Sequence, residues 1–153
     1  MMADSFESTL NELIETSKDG EEGFRKAAQD ARDPELKSLF SACAKRCANG
    51  ARELQQVVRA NGGDPERSGS VAGALHRGWM SVKESMTSRD DKAILEECER
   101  GEDYAKGQYK KALDQNLPGD VRAVVRRQYQ GVVANHDKVR ALRDAYRTTN
   151  RST

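Results

Sequence analysis

The chain has 153 residues, of which 36% are hydrophobic and 33% charged, and 26 Lys and Arg against 25 Asp and Glu leave a net charge of +1. This length suits one domain, 1–153, with a single core. The balanced charge argues against a dedicated nucleic-acid binder, which carries a basic excess, and no apolar run is long enough to cross a bilayer.

The segment Met1-Met2-Ala3-Asp4-Ser5 lacks the basic stretch followed by an apolar one that marks a secretory signal. Three cysteines, at no zinc-finger spacing, fit a reducing cytoplasm better than a disulfide framework.

A first helix is predicted over about 5–31, with Asp4 and Glu7 as a capping pair. Its apolar stripe is Phe6, Leu10, Ile14, Phe24, Ala28 and Ala31, at alternating steps of three and four. The gap in that stripe passes Ser17 and Glu21, and Glu22 falls about 100° away. A second helix is predicted over about 34–60. Asp33 supplies its N-cap, Pro34 its first residue and Asn61-Gly62-Gly63 its stop. Leu36, Phe40, Cys43, Cys47, Gly50, Leu54 and Val57 form its stripe.

The connection 61–88 is too long for a tight turn between antiparallel neighbours. It is predicted to carry a short helix over about 70–87, since Val71, Leu75, Trp79, Val82 and Met86 keep the same stepping. Trp79 either clamps this helix onto the bundle or offers a surface to a second molecule. A third long helix follows over about 89–114, with Ser88 and Asp91 as a capping pair. Its stripe is Ile94, Cys98, Glu102, Ala105, Tyr109 and Ala112. The turn Leu117-Pro118-Gly119-Asp120 leads to a fourth helix over about 119–147. Val121, Val125, Tyr129, Val132, His136, Val139 and Tyr146 face inward there, with Leu142 alongside.

The basic tint of the last helix (Arg122, Arg126, Arg127, Lys138, Arg140, Arg143) reads as a solvated face. Gly20, Gly23, Gly50, Gly101, Gly107 and Gly131 interrupt the helices at a cost of about 1 kcal/mol each relative to alanine. Such a pattern points to close helix approach or to a bulky neighbour filling the space. The expected architecture is all-α: a ferritin-like four-helix bundle whose long crossover lets the second and third helices run parallel.

Near mid-helix each inward stripe turns polar, small or thiol-bearing, at Glu21, at Cys47 with Gly50, at Glu102 and at His136. Counted outward from the turns at Pro34 and Pro118, with about 1.5 Å of rise per residue, these positions fall at one level. Ferritin-like dimetal sites occupy that level, using single Glu ligands from two helices and Glu-x-x-His pairs from the other two. Here Glu21 and Glu102 match the single carboxylates, whereas the pair positions read Cys47-Ala48-Asn49-Gly50 and Val133-Ala134-Asn135-His136.

The candidate metal ligands are therefore Glu21, Glu102 and His136, enough for a weak iron, manganese or zinc site, and Cys47 and Cys98 would shift preference toward zinc or copper. The competing arrangement is structural: Glu102 and His136 paired by a hydrogen bond, Glu21 on a backbone or tyrosine partner, and the cysteines as small core residues. No nucleophile elbow, phosphate loop or dinucleotide fingerprint is present in the sequence. Cys43 and Cys47, one turn apart on one face, suit packing better than redox work.

The block from Ser70 to Met80 and the block from Ile94 to Asp103 stand with Lys18-Asp19-Gly20-Glu21-Glu22-Gly23-Phe24 and the stretch from His136 to Asp144. Together they resemble a bacterial family of small four-helix-bundle proteins of unknown function in the ferritin-like superfamily. The resemblance covers about 10–144. It implies the bundle and a bacterial cytoplasmic setting, and carries over no catalytic residues. The resulting expectation is a non-enzymatic, cytoplasmic bundle that forms a homodimer, with no resident cofactor, no nucleic-acid partner and no membrane partner. The alternative is a metal-binding protein for storage, sensing or oxidation at Glu21, Glu102 and His136.

Overall fold

A computed structural model describes residues 2–67 and 90–152, with side chains over 6–67 and 90–146. Four helices are seen: α1 (Met2–Asp30), α2 (Pro34–Ala60), α3 (Asp91–Leu113) and α4 (Gly119–Ser152). The described residues contain no strand. The helix expected over 70–87, with Trp79, lies outside the described residues.

The turn between α1 and α2 shows how short-range chemistry fixes the layout. Asp33 caps α2 by accepting from the Glu35 amide at 2.9 Å, and Pro34 takes the first helical position, where no donor is needed. Lys37 reaches back to the Ala28 and Gln29 carbonyls at 3.1 and 3.2 Å, covering acceptors that the end of α1 leaves open. Two turn amides remain, Arg32 and Asp33. Both donate to the Asp91 carboxylate at the start of α3, at 2.8 and 3.0 Å. From the end of α4, Tyr146 donates its hydroxyl to Asp33 at 2.6 Å, the main reason that the Asp33 carboxyl is held below its usual value.

Two expected caps move. Asp91 serves the α1–α2 turn, so the N-cap of α3 is Asp90, which accepts from the Lys92 amide at 3.0 Å. Helix α1 begins at Met2, which places Asp4 inside the helix and not at its cap.

Because the start of α2, the start of α3 and the end of α4 meet here, α2 and α3 run parallel and α4 runs antiparallel to α2. At the far end Gly62 closes α2 with φ +81°, a conformation that favours glycine. There Arg122 donates to the Leu113 and Gln115 carbonyls at 2.7 and 2.6 Å, capping α3. Packing is most extensive between α1 and α2 and between α3 and α4, then between α1 and α3, while α2 and α4 approach each other least.

The stripes deliver two apolar clusters. One gathers Phe24, Leu36, Phe40, Ile94, Leu95 and Val139 near the junction, with the Phe24 and Phe40 rings 6.1 Å apart and stacked. The other gathers Phe6, Leu10, Ile14, Leu54, Val121 and Val125 at the far end. Between them the four helices present the polar positions of their stripes.

Removing the Asp91 carboxylate strands two turn amides. Asp91→Ala is expected to cost about 1–2 kcal/mol, since the site is half-buried and water recovers part of each bond. Urea unfolding of the variant against the parent protein measures this.

Candidate functional site

A cavity of about 550 Å³ lies between the two clusters, within the range of small-molecule sites. All four helices wall it: Ser17, Gly20 and Phe24 from α1, Arg46, Cys47, Gly50 and Glu53 from α2, Glu102, Ala105 and Tyr109 from α3, and Arg127, Gln128, Gly131 and Val132 from α4. The volume follows from the sequence. Serine, glycine, cysteine and alanine stand where larger apolar residues would close the core. Three of the interrupting glycines, Gly20, Gly50 and Gly131, border it. A Cβ on Gly50 would sit 3.6 Å from the Gln128 amide, and one on Gly131 would sit 3.7 Å from the Arg46 guanidinium. At these positions a bulky polar neighbour occupies the space. Gly107 has nothing within 4 Å, so neither expected reason for a helix glycine applies there.

One polar chain runs along the wall. Ser17 and Tyr109 hydroxyls lie 3.5 Å apart, Tyr109 donates to Gln128 at 2.7 Å, and the Gln128 amide donates to Glu53 at 2.7 Å and to the Gly50 carbonyl at 3.3 Å. Arg127 donates to the other Glu53 oxygen. Burial raises the Glu53 carboxyl, but the bonds from Arg127 and Gln128 outweigh it and leave the group below its usual value. Burial pushes the Tyr109 hydroxyl up to about 12.

Glu102 belongs to the second polar group and is 3% exposed. One carboxylate oxygen, Oε2, accepts from the Asn135 amide and has the Arg46 guanidinium at 3.9 Å. The other, Oε1, is buried without a hydrogen-bond partner. Arg46 spends its closer donor on the Gly131 carbonyl at 2.6 Å. Asn135 in turn accepts from the Cys43 thiol at 3.0 Å. Burial pushes the Glu102 carboxyl up to about 7, against the lowering effect of Asn135 and Arg46. Burial is also the largest cause at each thiol, taking Cys43 up to about 11, Cys47 up to about 12 and Cys98 well above its usual value. Protonated thiols are poor nucleophiles, which agrees with a packing role.

The three expected metal ligands occupy three different surroundings. Glu21 is half-buried on the flank of α1 and pairs with Arg25 at 2.5 Å and Lys18 at 3.8 Å. His136 is 3% exposed, with Nε2 2.6 Å from the Asp103 carboxylate and 4.0 Å from Glu99. Neither ring nitrogen achieves hydrogen-bond geometry. The expected Glu102–His136 pair is thus not formed. One residue turns a helix by about 100°, so α4 offers Asn135 to Glu102 and sends His136 toward Glu99 and Asp103. Glu99 is itself held by Arg143, with Arg140 at 3.9 Å. Among the described residues no three of His, Cys, Asp and Glu come together as a group that could hold a metal ion. The residues present do not fit the dimetal pattern.

Arg46, Glu53, Gln128 and Asn135 were not among the expected site residues. A signal existed for two of them: Gln128 and Asn135 are amides one position from the stripe residues Tyr129 and His136. The basic tint of α4 is spent partly on contacts with other helices, with Arg122 on the Leu113 carbonyl, the exposed Arg127 on Glu53 and Arg143 on Glu99.

The raised Glu102 carboxyl makes stability fall as pH rises. Folded protein holds a proton on Glu102 up to about pH 7, whereas the unfolded chain releases it near the ordinary value of 4.5. The contribution is complete below about pH 4.5 and is lost through pH 7. A shift of this size corresponds to roughly 3 kcal/mol. Glu102→Gln removes that dependence, so the variant should gain on the parent between pH 5 and pH 8 in denaturant titrations at each pH.

No helix among the described residues is long and apolar enough to cross a membrane. No curated protein matches the chain. Residues 5–115, which span most of α1 and all of α2 and α3, match the family described as a domain of unknown function (DUF2383), and the chain belongs to that family.

Proposed function

We propose that this chain is a non-enzymatic binding module of ferritin-like connectivity, and that the mid-bundle cavity is its binding site. One observation carries the reading: a cavity walled by all four helices has in its wall a buried carboxylate with an oxygen that lacks a partner. Such a group costs about 1–3 kcal/mol when left unsatisfied, and a bound donor offsets that cost. The parallel course of α2 and α3, joined through 61–90, supports the ferritin-like crossover.

A bacterial cytoplasmic setting and a homodimer complete the proposal. The sequence blocks support the first, and Trp79, Met80 and Met86 as apolar anchors support the second. The His136 ring nitrogens, neither of which is in hydrogen-bond geometry, favour the alternative, a weak iron, manganese or zinc site at Glu21, Glu102 and His136. Against it stands the separation of those three side chains. Native mass spectrometry reads both points. The expected species is a metal-free dimer. A monomer at micromolar concentration would contradict the assembly, and stoichiometric metal would favour the alternative.

The cavity itself is tested with indole, a small neutral aromatic. Amide NMR titration should give saturable shifts at Gly20, Gly50, Ala105 and Gly131, and Ala105→Trp, which fills the space, should abolish them. Absence of saturable shifts in the parent protein at millimolar indole would contradict the reading.

A further inference from the structure

The chemistry of the cavity wall narrows the class of ligand, on the premise that the cavity is a binding site. Several donors on the wall are already committed. Tyr109 gives its proton to Gln128, Gln128 gives its own to Glu53 and Gly50, and Arg127 is tied to Glu53. Glu102 offers the opposite: an acceptor oxygen with no donor, in a wall that also holds Phe24, Ala105 and Val132. The nearest cation, the Arg46 guanidinium, stays 3.9 Å from Oε2 and does not serve Oε1.

We propose that the cavity takes a small apolar molecule bearing a protonated amine, with the ammonium group seated against the Glu102 carboxylate. An ammonium supplies the missing donors and the charge that keeps a buried carboxylate ionised. The apolar body replaces water against Phe24, Ala105 and Val132.

This pairing couples binding to proton release. The empty site holds Glu102 largely protonated below about pH 7, and only the ionised form receives an ammonium. The charged and titratable groups around it are Glu21 from α1, Arg46 and the Cys43 and Cys47 thiols from α2, Asp103 and the Cys98 thiol from α3, and Lys138 and His136 from α4, the last against Asp103, with the Asn135 amide beside them. The thiols stay neutral through this range because burial raises all three, so Glu102 is the group that sets the pH response.

The probe is 2-phenylethylamine, compared with 3-phenylpropionate and with indole by calorimetry on the full chain. The amine should bind more tightly than the carboxylate, and its affinity should rise about tenfold from pH 6 to pH 8, following ionisation of one carboxyl. Indole affinity should stay level over that range. Glu102→Gln should remove both the pH response and the preference for the amine. Indole binding combined with stronger binding of phenylpropionate, or with a pH-independent amine, would overturn the ligand class and leave the cavity reading standing. Failure of all three probes on the parent protein would overturn the cavity reading itself. The pH series on the parent protein decides the matter even if the variant folds poorly.

Discussion

Burying the Glu102 carboxyl at mid-height divides the core of this bundle in two, and much of the surrounding structure answers that burial. An ionised carboxylate away from water needs donors, and here Asn135 supplies one and Arg46 stands behind it. These groups need room and partners of their own: the Gly131 carbonyl accepts from Arg46, and the Cys43 thiol donates to Asn135. The apolar clusters therefore stop short of the middle, and the cavity is what remains between them. Replacing a buried polar group of this kind by a well-packed apolar one is often neutral or stabilising. A residue whose retention weakens the fold at neutral pH marks a place where the fold gives up stability for a task.

The ends of the bundle make a loose middle tolerable. Around the α1–α2 turn, Asp33, Asp91 and Tyr146 join all four helices through directional bonds that set the position of each helix. At the far end Arg122 ties the start of α4 to the last carbonyls of α3. With both ends held and an apolar cluster beside each, the weakly packed α2–α4 side need not close. The small residues Gly20, Cys47, Gly50, Ala105 and Gly131 then face a shared space.

The existence of the four long helices, the bounds of α2 and most of their inward residues were legible in the sequence because they rest on local signals: the three-and-four spacing, Asp33 before Pro34, and glycine after α2. Leu13 and Leu95 are buried outside the stripes, since a helix with two neighbours buries more than one seam. The start of α3 was misread because Asp91 answers amides some sixty residues away, and no local pattern encodes that. At the site, the level of Glu102 and His136 was legible from counting residues. Their partners were not. A partner depends on the rotation of each helix about its axis, and an error of one residue exchanges Asn135 for His136. Glu21 was placed inside by extending a stripe across a gap, but Lys18 and Arg25 hold it at the flank.

Glu102 is a buried carboxyl, short of one partner and ionising near neutrality. Carbon-13 NMR of its side-chain carboxyl, assigned by comparison with Glu102→Gln, measures this directly across pH 4 to pH 9. The account predicts a midpoint of about 7. A midpoint at the ordinary value of 4.5 would mean that the group is solvated or fully paired, and would contradict the account.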